Sequence, residues 1–133
     1  MIDFEKLAKD VEKLEQSAKT FGAIEKRKPE DLDAKALATA SDAMKLHMTT
    51  LRDIVMMFLK DRKEQIRAGH MFKDAAAKSI LPTDVAARGD ALLIKWGGHV
   101  TPTDPRAVHE DAVRLSQMAA KIIPVLKAYK KEP

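Results

Sequence analysis

The chain contains no cysteine, and only 5% of its residues are aromatic. The first absence excludes disulfide bonds, thiolate nucleophiles and cysteine-ligated metal sites. The second disfavours β-sheets, because strands draw on aromatic and β-branched side chains. There are also only five glycines among 133 residues, while Ala, Leu, Lys, Glu and Met, which favour helices, are abundant. The composition therefore predicts helices that pack on helices.

Long apolar segments are missing too. The longest apolar run covers residues 54–59, whereas a membrane-spanning helix needs about 20 apolar residues. The first residues lack the basic and then apolar pattern of a secretory signal. We therefore expect a cytoplasmic protein that does not associate with membranes. The length suits one domain and no long linker is evident, so residues 1–133 are predicted to form a single helical-bundle domain.

Two long segments carry apolar residues at alternating spacings of three and four, which is typical of amphipathic helices. The first segment runs from Asp3 to Phe21 and is followed by Gly22, a residue that favours helix ends. The second opens at Pro29 and meets no helix breaker before Gly69. It is therefore predicted to form one long central helix over about residues 30–68.

The remainder of the chain predicts two shorter helices and a long last one. A short alanine-rich helix is expected over residues 70–80, and the next helix extends to Trp96 with Thr83 as its N-cap. Asp104 and Pro105 mark the start of the last helix, and Pro124 interrupts it. The predicted fold class is all-α, an irregular helical bundle of four to five helices.

The apolar run at the middle of the long helix has no polar side. Such a stretch belongs at the centre of a bundle or in a contact between subunits. Its residues form the predicted interaction surface: Ile54, Val55, Met56, Met57, Phe58 and Leu59. The first helix covers only about half the length of the second, so we expect a protein partner along the second helix. The simplest partner is another copy of the chain, which makes the protein a homo-oligomer.

Positive charge is concentrated towards the C-terminus. Residues 1–59 carry 10 basic and 11 acidic side chains, whereas residues 60–133 carry 14 and 9. An excess of this kind can attract nucleic acid or another anionic partner. Two short helices with a proline turn between them, over residues 67–88, come closest to a helix-turn-helix. The candidate anion or nucleic-acid contacts are Arg62, Lys63, Arg67, Lys73, Lys78 and Arg88.

Histidines are the remaining candidates for chemistry, and the four are His47, His70, His99 and His109. None belongs to Glu-x-x-His or His-Glu-x-x-His, the spacings of di-iron bundles and zincins. His47 lies between Met44 and Met48, a combination that suits Cu(I) but is more often core packing. No serine stands in a Gly-x-Ser-x-Gly nucleophile motif. The sequence therefore predicts no metal site and no cofactor, and favours a protein that is not an enzyme.

Three functional classes follow from these features. The first is a non-catalytic protein–protein interaction module of the adaptor, small chaperone or inhibitor type, which self-associates through the second helix. The second is a nucleic-acid-binding protein that uses the basic C-terminal half. The third is a small helical enzyme or metal-binding bundle that uses the histidines. The interaction module ranks first, because the overlong second helix, its apolar middle and the abundance of methionine indicate a surface that another chain covers.

Overall fold

The computed structural model describes residues 2–67, 69–77, 80–98 and 104–129. Within these residues the chain forms five α-helices and no strand, which confirms the predicted all-α class. The helices are α1 (Phe4–Glu25), α2 (Ala34–Asp61), α3 (Met71–Ala77), α4 (Thr83–Trp96) and α5 (Pro105–Ala128), and a 3₁₀ turn covers Pro29–Asp31. None of these helices has the length and apolar character needed to cross a lipid bilayer.

Asp3 precedes α1, and its carboxylate accepts a hydrogen bond from the backbone N–H of Lys6 at 3.1 Å. This is the usual role of an N-cap aspartate. The prediction ended this helix before Gly22, but the helix continues to Glu25. The additional turn buries Ile24 in the core, and this burial outweighs the cost of about 1 kcal/mol that a glycine imposes on a helix.

Helix α2 is shorter than predicted. Asp33 caps its start, because its carboxylate accepts a hydrogen bond from the backbone N–H of Ala36 at 2.8 Å. The helix ends at Asp61, and Lys63 adopts a φ of 58°, which lies outside the right-handed helical region. The predicted helix over residues 30–68 is therefore too long at both ends. A 3₁₀ turn takes the place of its start, and the helix itself has 28 residues.

Helices α3 and α4 pack against each other, and a buried carboxylate joins them. The backbone N–H of Phe72 donates a hydrogen bond to Oδ1 of Asp90 at 3.1 Å. Within the predicted helix over residues 70–80, α3 covers Met71–Ala77, and residues 78 and 79 lie outside the described ones. Helix α4 begins one residue earlier than predicted, because Pro82 is the N-cap and Thr83 is already helical.

The start of α5 is confirmed. The carboxylate of Asp104 accepts a hydrogen bond from the backbone N–H of Arg106 at 3.0 Å, and Pro105 is the first helical residue. This position suits proline, whose missing N–H has no acceptor in the first turn of a helix. The helix continues through Pro124 as far as Ala128.

Helix α1 lies between α2 and α5 and runs antiparallel to both. Ser17 meets His47 on α2, and the side chains of Glu15 and Lys127 on α5 form an ion pair of 3.1 Å. Helix α4 in turn runs antiparallel to α5. Buried side chains from all five helices join in one hydrophobic core, and its largest members are Trp96, Phe21, Phe58 and Phe72.

Gly89 marks a close approach of α4 to α3. A methyl group at this position would lie 2.4 Å from the ring of Phe72, a fully buried side chain. We expect Gly89→Ala to lower the free energy of unfolding by about 1–3 kcal/mol, because overpacking outweighs the gain in helix propensity. Gly22→Ala is the matched control, since its methyl group would meet nothing within 4 Å. The control should stabilise the fold slightly. Urea denaturation measures both variants, and a similar loss in the free energy of unfolding for the two would contradict this account.

Candidate functional site

The predicted interaction surface on α2 divides into a buried and a partly exposed part. Ile54, Val55, Phe58 and Leu59 are at most 1% exposed and pack into the core of their own chain. Only Met56 and Met57 reach the surface, and both are partly exposed. These four residues therefore lie at the centre of the bundle, one of the two positions expected for the run, and Met56 and Met57 remain available to a partner.

The outward face of α2 presents six residues in a regular pattern. Their spacing is four, three, four, three and four, which keeps them in one stripe along the helix. We call this stripe the α2 seam, and its members are Asp42, Leu46, Thr49, Asp53, Met56 and Lys60. Leu46 is 47% exposed and is the exposed large apolar side chain of this helix.

A cleft opens at the end of the α2 seam that is farther from Leu46. Its volume is about 450 Å³, and Met56 and Met57 line its floor. Charged side chains surround the methionines, and these are Lys6, Asp53, Lys60 and Asp61. Methionine side chains are flexible and polarisable and suit a surface that has to accept a partner's side chain. The seam thus carries an exposed leucine towards one end and, towards the other, a recess with two methionines and a charged rim.

Opposite charges occupy the two ends of the α2 seam. Asp42 is exposed one turn before Leu46, and Lys60 is exposed one turn after Met56. Neither side chain forms an ion pair with any residue that the structure describes. Asp53 near the middle forms an ion pair with its neighbour Arg52, at 3.2 Å. The seam therefore offers unpaired charges of both signs to a partner.

The pair most similar to a nucleophile and its base lies in the core. Oγ of Ser17 is 2.8 Å from Nδ1 of His47, and Phe21 packs edge-on against the imidazole with ring centroids 4.9 Å apart. His47 is 1% exposed. Burial lowers the pKa of His47 to about 4, and the carbonyl of Leu14 opposes this shift in part. The imidazole is therefore neutral at pH 7, and no substrate can reach it without local unfolding.

The other two histidines that the structure describes, His70 and His109, lie apart from each other. His109 donates a hydrogen bond from Nε2 to the carbonyl oxygen of Glu25 at 3.0 Å, which joins the start of α5 to the end of α1. His70 is exposed, and Asp74, four residues further along the chain, pairs with Arg67 at 2.6 Å. His99 lies outside the described residues. Among the residues described, no three His, Asp or Glu side chains are grouped as a metal ion would require.

Among the predicted anion contacts that the structure describes, two of the cations already interact within the chain. The guanidinium of Arg67 is engaged by Asp74, and Arg62 also has an interaction within the chain. Lys63 and Lys73 are exposed, and Lys78 lies outside the described residues. Arg88 is exposed on α4 and lines a small recess of about 130 Å³ together with Lys121 of α5.

Sequence reasoning missed a polar cluster between α4 and α5, which is centred on Asp111. This carboxylate is 1% exposed and accepts hydrogen bonds from Nε1 of Trp96 and from the guanidinium of Arg114, both at 2.9 Å. Nζ of Lys95 lies 2.6 Å from the same carboxylate and 5.7 Å from the centroid of the Trp96 ring. The only sequence signal was an aspartate at a position where the helical pattern of α5 requires burial.

Comparison with other proteins adds no family. No protein-family model matches the chain, and no curated protein matches it in sequence. Function must therefore be argued from the α2 seam, the buried histidine and the polar cluster themselves.

Proposed function

We propose that the protein is a non-catalytic interaction module that self-associates through the α2 seam. The observation that carries the proposal is the exposed Leu46 on the same helix face as the methionine cleft. An interface with a twofold axis uses the same patch on both copies, so every projection must face a recess of that same patch. The seam meets this condition, because its pattern of spacings is the same in both directions.

The pairing follows from placing a twofold axis beside residue 51, with the two α2 helices antiparallel. Leu46 of one copy then faces Met56 of the other and enters its cleft. Asp42 faces Lys60, and Thr49 faces Asp53. Each contact occurs twice, so the dimer contains two apolar contacts and two ion pairs. The spacing is that of the a and d positions of a coiled coil, which brings helices close together.

The size of this interface indicates a weak dimer. With the axis beside residue 51, α2 overlaps its copy only over residues 41–61, because the helix ends at Asp61. This stretch is about 31 Å long, and a contact strip about 10 Å wide buries roughly 300 Å² per partner. A standard interface buries about 800 Å² per partner. We therefore expect a dissociation constant in the micromolar range. An adaptor or small chaperone that exchanges partners would need an affinity of this order.

Charge reversal at the ends of the seam tests the proposal. Asp42→Lys and Lys60→Asp each place like charges opposite each other twice per dimer, and each should raise the dissociation constant at least about tenfold. The double variant Asp42→Lys, Lys60→Asp restores opposite charges and should return to within about threefold of the original value. Sedimentation equilibrium over a concentration series measures all three. A double variant as weak as the single ones would contradict the antiparallel pairing.

A second pair of variants tests the apolar contact. Leu46→Glu should abolish dimerisation, because a carboxylate would enter the methionine cleft. Ile94→Glu is the matched control, since Ile94 is 70% exposed on α4, away from the seam. The control should dimerise like the unmodified protein. A monomer at every concentration of the unmodified protein, or an equal effect of both variants, would refute self-association through α2.

A further inference from the structure

We propose that Lys95 and Arg114 form a binding site for a phosphate group. Both cations lie on the outer side of the Asp111 carboxylate, at 2.6 and 2.9 Å. This site is on α4 and α5, whereas the α2 seam is on another helix, so the inference does not depend on the proposed dimer.

The charges of the cluster do not balance. Two cations share one buried carboxylate, which leaves one positive charge in excess. Glu110 offsets it little, since its carboxylate is 66% exposed and 4.0 Å from the Arg114 guanidinium. The side chains of Lys95 and Arg114 are 44% and 47% exposed. An ammonium has three N–H donors and a guanidinium has five, so both retain donors that Asp111 does not use.

The cluster also holds its cations in place before any ligand arrives. Asp111 is fixed by the indole N–H of Trp96 and by its own burial. Lys95 lies against the Trp96 ring, and Nη1 of Arg114 donates a hydrogen bond to the Asp111 carboxylate. Cations with fixed positions lose less conformational entropy when they bind an anion. Guanidinium and ammonium groups together are the usual partners of a phosphate.

Two further cations extend the site along the helices. Arg88 precedes Lys95 by seven residues on α4, and Lys121 follows Arg114 by seven on α5, which places each about 10 Å from its counterpart along the helix axis. Asp84 pairs with Lys121 and reduces the charge at that end. The ligand is therefore either a single phosphate group at Lys95 and Arg114 or the phosphate backbone of a nucleic acid along all four cations.

Titration with inorganic phosphate at low ionic strength tests the core of the proposal. Trp96 is the only tryptophan of the chain, so its fluorescence reports on the cluster directly. We expect a saturable change, and Lys95→Gln and Arg114→Gln should each weaken binding at least about tenfold. Lys9→Gln, at an exposed lysine of α1, is the matched control and should leave it unchanged. Circular dichroism at the titration temperature verifies that each variant is folded.

A parallel titration with a short DNA duplex distinguishes the two sources of phosphate. If the ligand is a nucleic-acid backbone, the duplex binds more tightly than phosphate, its affinity falls steeply with salt, and Arg88→Gln weakens it as well. If the ligand is a single phosphate group, Arg88→Gln has no effect on either titration. Absence of binding for both probes, or equal affinity of Lys95→Gln, Arg114→Gln and the unmodified protein, would overturn the proposal.

Discussion

Replacing Asp111 by alanine should lower the free energy of unfolding by about 3 kcal/mol. The carboxylate is 1% exposed. It accepts a hydrogen bond from the indole N–H of Trp96 and forms ion pairs with two cations. Its removal leaves a buried N–H donor without an acceptor and leaves Lys95 and Arg114 without a counter-charge. Loss of one partner from a buried charged pair costs about 3–5 kcal/mol, and the partial exposure of both cations places this case at the lower end.

Three variants separate the contributions within the cluster. Asp111→Asn keeps an oxygen that can accept the Trp96 N–H but carries no charge, so its loss should be intermediate. Lys95→Met and Arg114→Met remove half-exposed cations, and we expect each to cost less than about 1 kcal/mol. Urea denaturation followed by Trp96 fluorescence measures all four variants. A loss below about 1 kcal/mol for Asp111→Ala would show that the contacts of this cluster contribute little to the stability of the packing between α4 and α5.

Periodicity along the chain was sufficient to predict the helical elements. The apolar stripe of α1 and the Asp104–Pro105 start of α5 follow from local rules, since caps and three/four spacings involve only neighbours in sequence. The boundaries were less accessible. Gly22 did not end α1, because Ile24 gains burial from a contact that lies elsewhere in the chain. The start of α2 was predicted at Pro29 and not after Asp33, because a proline and a capping aspartate are equally good signals for the start of a helix.

The candidate sites depended on tertiary contacts that no local pattern contains. The run at residues 54–59 is apolar on all sides, so its division into a buried and an exposed part requires the positions of the helices that cover it. Ser17 and His47 are 30 residues apart, and Trp96 and Asp111 are 15 apart across a connection between helices. The regular spacing of the α2 seam, by contrast, can be read from the sequence. Met56 on it belonged to the predicted interaction surface, whereas Leu46 was not singled out.

Stability should decrease by about 3 kcal/mol as the pH falls from 7 to 4, because of His47. Burial lowers the pKa of this imidazole to about 4 in the folded chain, whereas an unfolded histidine has a pKa of about 6.5. Between these values the unfolded state binds a proton that the folded state does not, so acid favours unfolding. The contribution is complete above about pH 6.5, declines by up to about 1.4 kcal/mol per pH unit, and is lost below pH 4.

Comparison with a variant isolates this histidine from the carboxylates that titrate in the same range. His47→Gln cannot take up the proton, so its stability should fall less steeply between pH 6.5 and 4 than that of the unmodified protein, by about one proton per molecule. The slope is the relevant quantity, because the variant also loses the contact with Phe21 and is less stable at every pH. His70→Gln, at an exposed histidine, should retain the original slope. Identical slopes for His47→Gln and the unmodified protein would mean that the imidazole is solvated in the folded state, and the Ser17–His47 pair would then have to be reconsidered as a reachable site.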